Sequence, residues 1–384
     1  MPSTTHSPAN SAAWLPGRLA DLAVKDAPYT PPGDDQIVVR GHAVAVNPLD
    51  WIIQVAGDLS YRWLSYPTVL GSDVAGEVVQ VGKDVTRFTV GDRVIGHAVG
   101  TDKDTNRASE GTFQRYSVVL ERMACPIPGS LSFEQASVLP LALSTAACGL
   151  FQQDHLGLQH PSAGPTPTGE TVLVWGGSTS AGSNAIQLAV AAGYEVITTA
   201  SPRNFEFVKD LGASEAFDYN SPSVTADIIS AFRGRRLAGA IAFGTTAAAS
   251  CVKIVASCEG NRFVSIATPP VSFDGLARKA GRRVETLRTV RRLIASNVAL
   301  QVRSRTRGVR IKYIWGTSLK NNEVSHAIYR DFLPAALAEG RYRAAPEPRV
   351  IGHGLQHLQR ALDIQREGVS AQKIVITIPQ SEDH

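Results

Sequence analysis

The chain has 384 residues, 43% of them hydrophobic and 19% charged, with a formal net charge of only +4. That length exceeds one ordinary hydrophobic core, so two domains are expected, and the composition excludes a disordered or collagenous chain. Four scattered cysteines (Cys125, Cys148, Cys251, Cys258) form no C-x-x-C pair. They argue against a disulfide framework and a structural zinc site, and they fit a reducing compartment.

Residues 1–12 are small and polar and read as a frayed tail without the basic and apolar regions of a leader. No run approaches about eighteen apolar residues, so no membrane segment is expected and the cytoplasm is the expected location. Residues 36–46, 69–81 and 90–94 read as strands separated by tight glycine turns, closer to a small β-barrel than to a helical layer. Near Ser130 the pattern changes, with a helix start at Ser132 and an alanine- and leucine-rich run to Leu150. After the Pro/Gly/Ser/Thr loop at 160–169, strands are expected at 171–175, 194–200, 214–218, 238–243 and 261–266. Helices are expected at 183–192, 204–211, 223–233 and 246–257 between and after them. That alternation predicts a doubly wound parallel sheet. Strand signals return at 349–351 and 373–378 around a helix at 355–365, a tail expected to rejoin the first domain.

The stretch 171–190, TVLVWGGSTSAGSNAIQLAV, is an apolar strand, a glycine turn and a helix start. Such a junction offers backbone N–H groups and a helix dipole to a pyrophosphate. Gly177 and Gly182 fit the G-x-G-x-x-G dinucleotide pattern of a Rossmann domain, with Thr179 at the middle glycine. The next strand ends in Ser201, Pro202, Arg203 and Asn204 rather than in an acid. A carboxylate there would repel a 2′-phosphate, whereas a guanidinium with hydroxyl and amide donors would pair with it, so NADPH is expected over NADH. Ser201 and Asn204 also read as caps of a helix at 205–211, which does not account for the missing acid.

Residues 278–312 hold twelve basic residues and one acid, Glu285, leaving 26 basic and 33 acidic residues in the rest of the chain. The block reads as a cationic surface for RNA, an acidic carrier protein or an anionic substrate, or as a solvated helical insertion around 284–300. No aromatic residue interrupts it, which argues against single-stranded nucleic acid.

Several stretches together resemble the medium-chain dehydrogenase/reductase superfamily: AVAVNPLDW (43–51), YPTVLGSDVAGEVVQVGKDVTRFTVGDRVIG (66–96), GTFQRYSVV (111–119), LPLALSTAACGL (139–150), the glycine turn and LGASEAFDY (211–219). With GGSTS, SPRN and GHGL…REGVSAQKIVI (352–376), the chain is most similar to the zinc-independent, quinone-oxidoreductase-like branch and to the fungal trans-acting enoyl reductases. The resemblance implies a GroES-like β-barrel catalytic domain (1–132 with 345–384) and a Rossmann domain (133–344), the basic insertion at about 275–312 lying outside it. Where zinc-dependent members begin a Cys-x-x-Asp stretch this chain has Asn47, followed by Asp50, and the four-cysteine lobe is missing near 96–111. No metal is expected.

Carried over residue by residue, the resemblance sets the turn Gly176, Gly177, Ser178, Thr179, Ser180, Ala181 and Gly182 around the pyrophosphate. It sets Ser201, Pro202, Arg203 and Asn204 at the 2′-phosphate, Tyr219 at the adenosine ribose, and Ile266 and Ala267 beside the nicotinamide. Val369 and Ser370 close over the cofactor, and Leu49, Asp50 and Ile52 touch it, Ile52 replacing the lysine usual in the enoyl reductases. Asn47 and Thr145 are the candidate donors to the substrate carbonyl; Thr145 reads equally as a helix-packing residue. The implied activity is zinc-independent, NADPH-dependent reduction of the C=C bond of a small or carrier-bound unsaturated carbonyl in fungal secondary metabolism. A polyketide synthase is the implied partner, and the chain a monomer or homodimer. Two other readings stay open: a quinone and enone detoxifying reductase, and a catalytically weak NADPH-sensing or nucleic-acid-binding protein.

Overall fold

The computed structural model describes residues 8–278 and 281–380. The first domain begins with β1 (Asn10–Leu15) and β2 (Ala23–Ala27), followed by the long β3 (Gln36–Ala45) and helix α1 (Pro48–Ser60). Then come β4 (Thr68–Val69), β5 (Asp73–Val81), β6 (Arg93–His97), β7 (Tyr116–Leu120) and β8 (Ala124–Pro126). Strand β3 is the axis of this barrel, antiparallel to β5 on one side and to β7 along its first half. The strands cross closely: a Cβ at Gly76 would stand 2.0 Å from the Arg40 carbonyl oxygen, so only glycine fits there. The expected frayed tail is corrected from Asn10 onward, because Ala12 and Ala13 of β1 are fully buried and paired with β2. Residues 1–7 lie outside the described residues.

Two helices, α2 (Phe133–Ala136) and α3 (Pro140–Phe151), lead into the second domain. Nearly every residue of α3 is buried, as an Ala/Leu helix hydrophobic all round must be, and α3 belongs to a core continuous from barrel to Rossmann sheet. The alternating units follow: β9 (Glu170–Trp175), α4 (Ser180–Ala191), β10 (Glu195–Ala200), α5 (Phe205–Asp210), β11 (Glu215–Asp218), α6 (Val224–Ala231), β12 (Arg236–Ala242), α7 (Ala247–Ser257), β13 (Phe263–Ile266), α8 (Arg283–Thr306) and β14 (Arg310–Tyr313). The parallel sheet runs β11-β10-β9-β12-β13-β14. The chain starts at the centre with β9, builds one edge and then the other, so the switch point lies between β9 and β12.

The basic segment is therefore not an insertion. Parallel strands need a crossover, and α8 supplies it between β13 and β14, the sixth strand of the sheet. Two of its cations tie the domains together. Arg278 meets Asp21 (3.0 Å) and Asp363 (2.8 Å), and Arg282 donates to the carbonyl of Val55. Most of α8 is solvent-facing, with Val284, Leu287, Ile294, Val298 and Val302 each more than half exposed, while Leu300 and Ser304 near its end are buried.

After α9 (Leu333–Ala338) the chain returns through β15 (Glu347–His353), α10 (Leu358–Glu367) and β16 (Gln372–Thr377). Strand β16 pairs with β3, so residues more than 300 positions apart share one wall of the barrel.

Candidate active site

The glycine turn caps β9. Gly176 has φ 88°, the left-handed region. A Cβ at Gly177 would stand 2.2 Å from Thr198 Oγ1, and one at Gly182 would stand 2.1 Å from the Gly176 carbonyl oxygen. Both glycines are demanded by the approach of α4 to the strands. Thr179 takes the N-cap of α4: its hydroxyl accepts from Gly182 N–H (3.0 Å) and donates to Gly176 O (2.8 Å). Thr179 thus holds the turn from within. The first intrahelical bond runs from Ser183 N–H to Thr179 O (2.8 Å), which leaves the N–H groups of Ser180 and Ala181 pointing out of the helix start.

The end of β10 adjoins this turn, because Thr199 receives Gly177 N–H on its carbonyl and Gly176 N–H on its hydroxyl, both at 2.9 Å. Ser201 Oγ lies 3.1 Å from the Tyr219 hydroxyl, and Asn204 donates from Nδ2 to Ser370 Oγ (3.2 Å). Neither Ser201 nor Asn204 makes a side-chain capping bond, so the capping reading is not realised. Pro202 and Arg203 are exposed at the rim, and Val369 is half-buried beside Ser370. Ile266, 1% exposed, turns into the helical layer, while Ala267 packs on the α3 side of the sheet.

A second cluster lies at the seam of the domains, and it is built from buried side chains. Asn47 donates from Nδ2 to Asp73 Oδ2 (2.8 Å), and its Oδ1 accepts from the ammonium of Lys373. Lys373 Nζ also lies 3.0 Å from Asp73 Oδ2, and Asp73 Oδ1 receives the Leu141 N–H at 2.6 Å. Lys373 is 2% exposed and Asp73 fully buried. The Asp50 carboxylate accepts from the backbone N–H groups of Asn47 (2.8 Å) and Gly71 (3.2 Å). Burial, with the Asp73 charge in addition, pushes its carboxyl up to about 7 against those two donors. Beside it, the Tyr329 hydroxyl donates to Pro140 O (3.0 Å), so Ser144 Oγ donates to Tyr329 (2.7 Å) and must accept from His97 Nδ1–H (2.8 Å). That order fixes the tautomer of His97 and leaves its buried Nε2 as an unpartnered acceptor. Burial holds His97 down at about 4, hence neutral.

Several expected roles shift on this geometry. Asp50 is fully inside and holds the start of α1, so its carboxylate is not turned to a cofactor. Leu49 and Ile52 are half-buried and pack against the barrel core. Asn47 is 2% exposed, with Oδ1 and one Nδ2 hydrogen already taken. Thr145 donates to Leu141 O one turn back (2.8 Å), so it turns a lone pair rather than a hydrogen outward. The sequence reading missed Lys373, Asp73, His97, Ser144 and Tyr329. The one signal for Lys373 was a lysine opening the apolar run IVI, on the same strand face as a core valine.

The seam does not fit zinc. An ammonium already bridges the Asn47 and Asp73 oxygens, and among the described residues no three His, Cys, Asp or Glu side chains could share a metal ion. The glycine turn does fit a dinucleotide: its two obligatory glycines clear the path and its outward N–H groups meet a phosphate.

An all-parallel six-stranded Rossmann sheet joined to a GroES-like barrel, with a nucleotide turn above one and a buried polar seam between them, defines a two-domain nicotinamide-dependent oxidoreductase. Residues 33–129 match the model of the alcohol dehydrogenase GroES-like domain. The chain is 52% identical over 373 residues to the dehydrogenase pigH of Monascus ruber, covering 97% of this chain and 100% of that protein. It is 39% identical over 377 residues to the trans-enoyl reductase himH of Aspergillus japonicus, covering 97% and 98%. An alcohol dehydrogenase superfamily protein from Novosphingobium aromaticivorans superposes with a TM-score of 0.71 at 25% identity, covering 96% of this chain and 100% of that one. The chain belongs to the medium-chain dehydrogenase/reductase superfamily.

Proposed function

We propose that the protein is an NADPH-dependent reductase of the C=C bond of an α,β-unsaturated carbonyl, working without zinc in fungal secondary metabolism. The observation that carries the cofactor choice is the group at the end of β10, where exposed Arg203 stands with Ser201, Asn204 and Tyr219 and no carboxylate closes the strand. The similarity to himH, a trans-enoyl reductase, supports the reaction class. A polyketide synthase carrying the substrate is the partner this reading implies.

NADPH, when bound, supplies the hydride to the β-carbon, and negative charge gathers on the substrate's carbonyl oxygen. The chain's contribution there is electrostatic. Lys373 pulls on Asn47 Oδ1, which makes the remaining Nδ2 hydrogen of Asn47 a stronger donor. Thr145 donates only by releasing Leu141 O. Solvent supplies the proton at the α-carbon.

Titration with NADPH and NADH, followed through Trp175 below the turn, tests the cofactor choice. A clear NADPH preference, followed by nucleotide-dependent loss of an enone but not of a simple ketone or alcohol, is expected. Equal affinity for both nucleotides removes the reading of Arg203, and turnover of alcohols alone removes the C=C assignment.

A further inference from the structure

One carboxylate on the barrel side gathers a loop of the Rossmann side. Asp102 follows β6, is 5% exposed, and receives Trp315 Nε1–H (3.1 Å), the Thr317 hydroxyl, Lys320 Nζ (2.5 Å) and the backbone N–H of Asp104 (3.0 Å). Burial alone would raise its carboxyl, but the bonds from Lys320, Thr317, Asp104 and Trp315 outweigh it and hold the group at about 2. Its three side-chain donors all come from the segment just after β14.

What this arrangement holds in place is an aromatic wall. Trp315 is 45% exposed, an unusual state for the largest apolar side chain, and its ring is pinned at Nε1 rather than free to turn. Tyr61 stacks on it at 5.8 Å between centroids, and Trp63 meets it edge-on at 6.2 Å. Trp63 is itself fixed by its bond to Thr101 O (3.1 Å). A cavity of about 270 Å³ opens here, with Trp63, Trp315, Ser318 and Asn321 among its walls. The Asp102–Lys320 pair neutralises itself, and exposed Lys103 and Asp104 at the rim are of opposite sign. The cavity therefore carries no net charge.

It also sits beside the chemistry. Trp315 follows Ile314, whose N–H bonds to Ile266 O (2.8 Å) at the end of β13, and precedes Gly316. A Cβ on Gly316 would stand 3.0 Å from Thr145 Oγ1. Trp315 thus sits in the chain between a residue bonded to Ile266 and a residue packed against Thr145, the two positions expected to border nicotinamide and substrate.

We propose that this cavity is a subsite for a flat, conjugated, uncharged segment of the substrate, aryl or polyene, attached to the reacting alkene and stacked against Trp315. Its volume lies below that of a pocket for a whole drug-sized ligand, about 300 Å³ upward, so it takes one end of the molecule and leaves the carbonyl side in the cleft. Asp102 is a positioning residue: it sets the plane of the ring that the substrate meets. The identity of the reacting bond rests on the proposed function; the preference for a flat conjugated group does not.

The test compares benzylideneacetone with ethylideneacetone, which carries a methyl group where the first carries a phenyl. Calorimetric Kd values are measured for the protein with and without NADP⁺, and kcat/KM with NADPH. Wild type should favour the aryl compound. In Trp315→Leu that ratio should fall roughly three- to tenfold, the scale of an aromatic pair. Trp315→Phe, which keeps a flat face, should retain most of it, and Trp63→Leu should lower it independently. Asp102→Asn should lower it less than Trp315→Leu, since an amide oxygen still accepts from Nε1. An unchanged aryl-to-methyl ratio in both leucine variants would overturn the subsite. Aryl discrimination in binding without any NADPH-dependent turnover would sink the reductase reading and leave the subsite standing.

Discussion

The nucleotide turn and the buried seam are built on opposite principles. The turn presents backbone: two glycines that nothing else can replace, N–H groups at the start of α4, and a threonine whose hydroxyl serves the turn itself. The seam presents charge: an ammonium and two carboxylates from α1, β5 and β16, all almost wholly shielded from water. A backbone site depends on shape and tolerates few added atoms. A buried charge site depends on balance, and removing one member leaves the others without a counter-charge.

The largest expected effect tests that balance. Lys373→Met leaves Asp73 buried without its cation and should cost about 3–5 kcal/mol of stability in denaturant unfolding. The double variant Lys373→Met/Asp73→Asn should recover part of it, and if it recovers nothing the seam is held by packing rather than by charge. At the turn, Gly182→Ala puts a methyl 2.1 Å from a carbonyl oxygen and should cost about 1–3 kcal/mol while abolishing nucleotide binding. Arg203→Ala, on the exposed rim, should leave stability alone and weaken NADPH by roughly 1–3 kcal/mol with NADH unchanged.

The smallest effect in the wild-type protein is its pH dependence, because two buried groups oppose each other. Asp50 is raised from 3.8 to about 7, so the folded state binds its proton more tightly, and its contribution to stability is lost as pH rises between those values. His97 is lowered from 6.5 to about 4, so the unfolded state binds its proton more tightly, and its contribution is lost as pH falls through that window. The sum is a shallow profile between about pH 4 and 7. Asp50→Asn should leave stability rising with pH, and His97→Gln should leave it falling; two rising slopes would contradict the Asp50 assignment, and two falling slopes the His97 assignment.

The sequence was most legible where local patterns and backbone rules decide the outcome. Alternating apolar runs and helix periods located the parallel sheet, the glycine turn announced itself by spacing, and Arg203 without a neighbouring acid marked the end of β10. It was least legible where meaning depends on what lies across the fold. The basic segment looked like an insertion because its charge hid an ordinary crossover. Its role needed β14 to be seen beside β13, and two of its arginines turned out to face Asp21, Asp363 and Val55 on the other domain.

Sequence alone determined the two-domain class, the strand–turn–helix and the run of Ser201, Arg203 and Asn204 without an acid after β10, since each rests on neighbours a few residues apart. Only the tertiary structure decided that Lys373 meets Asn47 across 326 positions, that Asn47 and Thr145 already have partners, and that Asp102 pins Trp315. Beyond the apolar run that Lys373 opens, such contacts carry no local signature. A lysine, an asparagine or an aspartate reads the same in any solvated loop, and becomes a buried clasp only when sheet closure and domain packing remove the water around it.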